Sequence, residues 1–455
     1  MGARSHDIPP AGIHKHGDRD PSAHSVLRPS VPRRIAPNTS PQMAVSQDDP
    51  VPAHGARYAG VMNILMVNEK GWFFGGVEQL VNDVATGLSE RGHRVALLST
   101  EARPQERDAL SAPFVATPCL DPEVSIDPWR QRVKAMVEEL ELEVAYVHRL
   151  TSVPAIEAIL EHLPVVRYVH DHDLYCPRRH KYFPLTTRIC NQPLGVSCVV
   201  NGCLLTPNGP WPGLPWLINL PQKRRELQFN LRLPRLCVGS RWMRDMMITN
   251  GFSEDQVEVL PPIPKGLEQD VSPMQEEPVV LFVGQVIRGK GVDLLLRALT
   301  EVRQPFQALI VGTGNHMQTC IDLARSLNLG GQVSFPGWVS HDRIGDYFRR
   351  ARAVAVPSRW PEPFGMVGLE AMWASRPVVA FAVGGIPDWL ADGESGFAVA
   401  EQDWKLYGQA LDQLLADPEL AKRMGQNGYD LASQNYRFDS QIDRTEAMLQ
   451  RALQS

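Results

Sequence analysis

One pattern governs what this chain can become: strand-sized apolar runs alternate with stretches of helical periodicity, and the alternation occurs twice, on either side of a proline-rich break. Asn63-Val67 is a buried-strand run, Gly75-Gly76 a turn, Val77-Arg91 has apolar residues at helical spacing before Gly92, and Val95-Ser99 is the next strand. Further strand candidates are Val144-His148, Val165-His170, Leu236-Ser240 and Val257-Leu260. Such βα alternation implies a parallel sheet with helices on both faces. After the break Pro261-Pro278 it restarts: strands at 279-283, 308-311, 332-335, 353-356 and 377-381 are separated by helices at 292-300, 316-327, 342-350 and 366-374. Segment 403-424 reads as helical, and 440-453 as a terminal helix. The expected fold is α/β, with two Rossmann-like doubly wound domains facing a cleft. Their bounds are 61-260 and 279-435, with 261-278 as linker and 436-455 as a helix crossing back to the first domain.

Residues 1-60 are rich in Pro, His, Ser and Arg and show no hydrophobic period. That composition buries too little apolar surface to offset ordering entropy, so this segment reads as a disordered, dispensable leader. A formal charge of -5 argues against nucleic acid as a partner, because duplex binding rests on neutralising phosphates. No run approaches the ~18 apolar residues of a spanning helix, and the first 60 residues lack the apolar stretch of a secretory signal. The expected location is the cytoplasm, with the inner face of the membrane as an extension of that reading.

The most specific segment is Pro361-Glu-Pro-Phe-Gly-Met-Val-Gly-Leu-Glu-Ala-Met372, with seven residues between Glu362 and Glu370. A loop bearing one carboxylate enters a helix bearing another. Glycines at 365 and 368 allow close backbone approach, and the free N–H groups of the helix's first turn favour an anion such as a diphosphate. In isolation the same spacing also describes an amphipathic helix with a capping acid. The continuation Arg376-Pro-Val-Val-Ala380, Gly384-Gly-Ile-Pro-Asp388 and Asp392-Gly-Glu-Ser-Gly396 decides between them. Together these segments resemble the nucleotide-sugar signature of family 4 retaining glycosyltransferases of the GT-B fold, a likeness running from about Met62 to the C-terminus. The resemblance implies that Glu362 contacts the transferred sugar and Glu370 the ribose hydroxyls. It places the amides of Gly365, Met366 and Val367 on donor sugar or phosphate.

The turn Val283-Gly-Gln-Val-Ile-Arg-Gly-Lys-Gly291 carries Arg288 and Lys290, cations suited to a leaving diphosphate, although a solvated turn would look the same. The family usually places an arginine directly after the strand glycine, whereas this chain has Gln285. Gly71-Trp-Phe-Phe-Gly-Gly-Val-Glu78 resembles the glycine loop with which relatives approach donor phosphates or acceptor, through the backbone of Gly75 and Gly76. Trp72, Phe73 and Phe74 are read there as an apolar wall for an acceptor. In His170-Asp-His-Asp173, His170 resembles the family's active-site histidine and is expected on a donor-sugar hydroxyl, with His148 as its competitor. Gly312-Thr-Gly314 lacks the remaining elements of a dinucleotide fingerprint and is assigned no chemistry.

Four cysteines, Cys176, Cys190, Cys198 and Cys203, fall within 28 residues of an insertion spanning 175-215. In a reducing compartment such clustering suits a tetrahedral structural zinc, although the spacing contains no C-x₂-C knuckle and free buried thiols remain an alternative. Lys223-Arg-Arg225, Arg232 and Arg235, interleaved with leucines and Phe229, read as a solvated helix face or as a peripheral membrane contact. The function implied is transfer of a sugar, with retention, from a nucleotide-diphosphate donor to a carbohydrate or lipid-linked acceptor. No catalytic metal is expected, since the cations and the helix N-terminus take that role. A nucleotide-sugar epimerase and a non-catalytic carbohydrate- or nucleotide-binding protein are the alternatives.

Overall fold

A computed structural model describes residues 60-455, apart from 121-125, 207-215, 268-273, 275-276 and 455. The described residues lie in one compact unit. The leader therefore falls outside the described residues except at its last position, and so does part of the linker.

Two six-stranded parallel sheets form the framework. The first is built from β1 (Asn63–Lys70), β2 (Arg94–Glu101), β3 (Val144–Val147), β4 (Val165–Val169), β7 (Arg235–Val238) and β8 (Val257–Val259), in the order β2-β1-β3-β4-β7-β8. The second contains β9 (Val279–Val283), β10 (Gln307–Val311), β11 (Val333–Gly337), β12 (Ala351–Val356), β13 (Val378–Phe381) and β14 (Gly396–Val399), in the order β11-β10-β9-β12-β13-β14. Strands such as β3 and β12 are buried at every position, as expected of parallel strands covered on both faces. Helix α1 (Gly76–Glu90) covers one face of the first sheet with Leu80, Val81, Val84, Ala85 and Leu88. This is the two-domain α/β architecture that the alternation predicts.

The order of each sheet reverses once, between β1 and β3 in the first and between β9 and β12 in the second. At such a switch point, loops leaving the strands' carboxyl ends diverge and open a crevice. The loops that follow β1, β3, β9 and β12 therefore set the site.

Segment 403-424 is two helices, α11 (Trp404–Ala416) and α12 (Pro418–Asn435). Asp417-Pro418 divides them, because Pro418 has no N–H to continue α11 and the Asp417 side chain instead caps α12 by accepting from Leu420 N. Helix α13 (Phe438–Leu453) packs on the first domain. Arg91 meets Asp443 at 2.6 Å and Glu446 at 2.7 Å, and His93 Nε2 lies 2.8 Å from Glu446. Among the described residues no helix is long and apolar enough to cross a membrane.

Candidate active site

On the second domain, two loops meet at the switch point. The strand β9 runs into a 3-10 turn, Arg288–Lys290, which ends at Gly291 with φ 71°. A Cβ at Gly291 would stand 1.9 Å from the carbonyl oxygen of Pro357, so only glycine lets this turn lie against the loop after β12. Arg359 fixes the two together. Its guanidinium holds both carboxylate oxygens of Asp293 at 3.0 and 2.9 Å and the Arg288 carbonyl at 2.6 Å, while the amides of Arg359 and Trp360 donate to Gly289 O.

Lys290 is thereby aimed at Glu362, and its Nζ lies 2.7 and 2.9 Å from the two carboxylate oxygens. Glu362 is buried and also accepts from Ser358 Oγ. Its own loop is held by Gly385, whose N–H donates to Glu362 O at 2.7 Å, and by Trp389, whose Nε1 donates to Phe364 O at 2.7 Å. Beyond Glu362, Gly365 turns the chain with φ 94° into helix α10 (Met366–Trp373), which carries Glu370, half-buried. Arg288 is exposed, and its side chain has no hydrogen bond or ion pair among the described residues.

The first domain brings its glycine loop opposite α10. A Cβ at Gly76 would lie 3.6 Å from Met366 Sδ. Gly75 caps α1, and its N–H donates to Glu78 Oε2 at 3.0 Å. Glu78 is buried, and burial raises its pKa. The expected aromatic wall is reduced to one ring. Trp72 is turned inward and Phe73 packs on the core, which leaves Phe74 exposed and edge-on to Trp72 at 5.6 Å.

The histidines follow β3 and β4. His148 Nδ1 and His170 Nε2 are 3.0 Å apart, and both rings stack with Tyr168. Burial pushes His148 down to about 3 and His170 well below its usual value, so both rings are neutral near pH 7. They line a recess with Arg149, Arg167, Asp171 and Asp173. Asp171 is pushed up to about 7 by burial and by the charge of Asp173.

His172, which the sequence reading passes over, joins the two domains. Its Nε2 donates to the carbonyl of Pro361 at 2.8 Å, next to Glu362, and its Nδ1 lies 2.9 Å from the Tyr175 hydroxyl. Since a carbonyl only accepts, the proton sits on Nε2. Burial, its largest influence, takes this ring down to about 4. The alternation in His170-Asp-His-Asp173 is the signal that marks two histidines, but it does not show which one spans the cleft. A second bridge runs from Arg241 N to Asp388 Oδ2 at 2.7 Å.

The four clustered cysteines are free thiols. The Cys176, Cys190 and Cys198 thiols all lie within electrostatic reach of Cys203, which burial, above all, pushes up to about 11. As placed, they do not form a ligand shell: among the described residues no group of three or more His, Cys, Asp or Glu side chains is set to hold a metal. The basic stretch forms helix α5 (Leu220–Asn230), whose Leu227 and Phe229 turn inward while Arg224 and Arg225 face solvent.

Residues 74-263 match the family model Glycosyltransferase Family 4, and residues 267-431 match Glycosyl transferases group 1. The chain is 34% identical to a D-inositol 3-phosphate glycosyltransferase of Gordonia bronchialis over 40% of this chain and 42% of that protein. It is 31% identical to an alpha-D-kanosaminyltransferase of Streptomyces kanamyceticus over 38% and 45% respectively. The chain thus spans less than half the length of these curated relatives. Among solved structures, Anabaena HepE in complex with UDP superposes with a TM-score of 0.66 at 17% identity, covering 86% of this chain and all of that one. Sucrose-phosphate synthase from Thermosynechococcus elongatus gives 0.66 at 19% identity, covering 86% and 98%. The two family models together span both Rossmann-like halves and the loops that build the Lys290–Glu362 crevice, and the chain belongs to the family 4 glycosyltransferases of the GT-B fold.

Proposed function

We propose that the protein transfers a glycosyl group, with retention, from a nucleoside diphosphate sugar to a carbohydrate acceptor. The observation that carries this reading is the meeting of Lys290 with buried Glu362 at the switch point, beside the N-terminus of α10 and across from Gly76. A diphosphate at that helix end faces free N–H groups and the Lys290 ammonium, which together stabilise charge developing on the leaving group as a divalent ion does elsewhere. When the donor enters, Lys290 turns from Glu362 to phosphate, and the freed carboxylate takes the sugar hydroxyls. Glu370, one turn into α10, holds the ribose. The neutral His170 offers a hydrogen bond to a sugar hydroxyl from the opposite domain. With the diphosphate held on one side and the acceptor arriving from the first domain on the same face, front-face attack gives retention without a covalent intermediate. Arg288, free in solvent, is available to close on the diphosphate.

The acceptor side is read as lipid-linked and the protein as a peripheral membrane visitor. Val196, Val199, Val200 and Leu205 are exposed within the insertion and Leu217 just after it, and the outward arginines of α5 follow in sequence. Apolar residues accompanied by cations suit an anionic bilayer.

The test is incubation with uridine, guanosine and adenosine diphosphate sugars, followed by product analysis. Release of the nucleoside diphosphate with one base, together with a hydrolysed sugar or a new glycoside, supports the reading. Conversion to an epimeric nucleotide sugar, or binding without turnover, would replace it with the epimerase or the binding protein.

A further inference from the structure

His172 is where the first domain takes hold of the loop that carries Glu362. Its ring is wholly buried, edge-on to Trp242 of the first domain at 5.3 Å and tilted against Trp360 of the second at 5.7 Å. The hydrogen bonds on its two nitrogens run in one direction. Pro361 O accepts and cannot donate, so Nε2 carries the ring proton and donates it at 2.8 Å. A neutral ring then leaves Nδ1 bare. The Tyr175 hydroxyl, kept protonated by burial, lies 2.9 Å away and donates to it. The Tyr175 and Cys176 amides donate in turn to His172 O at 3.3 and 2.8 Å, which fixes the residue at the root of the insertion.

Pro361 is buried, and among the described residues no other donor reaches its carbonyl. The same planar peptide unit carries the Glu362 N–H, so orienting that carbonyl also orients the Cα from which the Glu362 carboxylate projects. Other contacts between the domains leave this peptide alone. Arg241 N donates to Asp388, Gln402 Nε2 donates to Thr187 O at 3.1 Å, and Ile189 N donates to Glu401 Oε1 at 3.1 Å. These contacts hold the domains together with or without His172. The groups read as holding the nucleoside diphosphate, namely Lys290, the N-terminus of α10 and Glu370, all belong to the second domain.

We propose that His172 is a positioning residue for Glu362, through which the first domain sets the carboxylate that receives the transferred sugar. The inference rests on the glycosyl-transfer reading of the Lys290–Glu362 crevice and divides the donor in two. Its nucleoside diphosphate half is bound by the second domain alone. Its sugar half meets a correctly placed Glu362 only while the chain Tyr175 O–H, His172 ring, Pro361 C=O is intact. When Lys290 turns to phosphate, Glu362 loses its cation, and the bond from Ser358 Oγ and the peptide held by His172 keep the carboxylate in place. A contact group displaced in this way slows the reaction without weakening the nucleotide's own contacts.

The experiment uses the full chain with uridine, guanosine and adenosine diphosphate glucose, taking whichever donor the wild-type protein hydrolyses fastest. His172→Phe keeps an aromatic ring between Trp242 and Trp360 but offers Pro361 no donor, whereas His172→Gln can place an amide N–H near the position of Nε2. His172→Phe should lower kcat about 10–100-fold, while the Kd of the corresponding nucleoside diphosphate, measured by calorimetry, stays within about twofold of wild type. His172→Gln should recover most of the lost rate. Tyr175→Phe, which strands Nδ1, should show the same split on a smaller scale. Nitrogen-15 NMR of the wild-type rings should show His172, assigned by its loss in the variants, as the Nε2–H tautomer. Should His172→Phe not fold, the split read in Tyr175→Phe and the ring proton decide the matter. Wild-type turnover in His172→Phe, a nucleoside diphosphate affinity that falls in proportion to kcat, no recovery in His172→Gln, or a proton on Nδ1 would each overturn the role. A wild-type chain that turns over none of the three donors would remove the glycosyl-transfer reading, and this role with it. The wild-type assay thus separates the two failures.

Discussion

At the scale of single residues, the proposed function gives Lys290 and Glu370 different tasks on one donor. A carboxylate on the ribose binds ground and transition states alike, whereas a lysine on the diphosphate gains strength as negative charge develops. Glu370→Gln should raise the donor KM by ~1–2 kcal/mol, the loss of charge-assisted hydrogen bonds, with kcat nearly unchanged. Lys290→Ala should lower kcat at saturating donor by about two to three orders of magnitude. Because Lys290 also neutralises the buried Glu362, this variant should melt earlier as well, and rates are to be compared below its transition. Steady-state kinetics of both variants decide the point. Normal turnover by Lys290→Ala at saturating donor would remove the leaving-group role from the Arg288–Lys290 turn.

At the scale of elements, the loops work because glycine lets them touch. Gly291 combines φ 71° with a backbone oxygen 1.9 Å from where a Cβ would stand. Gly291→Ala should cost about 2–4 kcal/mol, from left-handed strain plus overpacking, and should detach Lys290 from Glu362. Thermal denaturation together with donor affinity measures it, and a stable variant with intact affinity would show that the turn tolerates movement. The sequence made these elements legible where periodicity is strong. The strands β9 and β12, the turn between Gly284 and Gly291 and the start of α10 are all placed by apolar runs and glycines. Other features depend on the partner across the cleft. That His172 rather than His170 reaches Pro361, and that Trp72 turns inward while Phe74 does not, follows from packing between segments distant in sequence. Local residue type carries no record of it. The division of 403-424 was readable, since Asp417-Pro418 is a cap followed by a helix-starting proline, but apolar periodicity on both sides conceals it.

At the scale of the whole molecule, two sheets with a switch point each place their loops edge to edge, and α13 returns from the second domain to brace the first through Arg91, His93 and Glu446. Contacts at Pro361, Asp388, Glu401 and Gln402 hold the domains facing one another across a crevice lined from both sides, where the proposed function has donor and acceptor meet. The central claim is that sugar passes from a nucleoside diphosphate to an acceptor approaching from the face of the departing phosphate. Proton NMR of the first product formed, with the preferred donor and an accepted sugar or water, reads the anomeric coupling before mutarotation intervenes. The account predicts the donor's own anomeric configuration in that product, and an initial product of inverted configuration would contradict it.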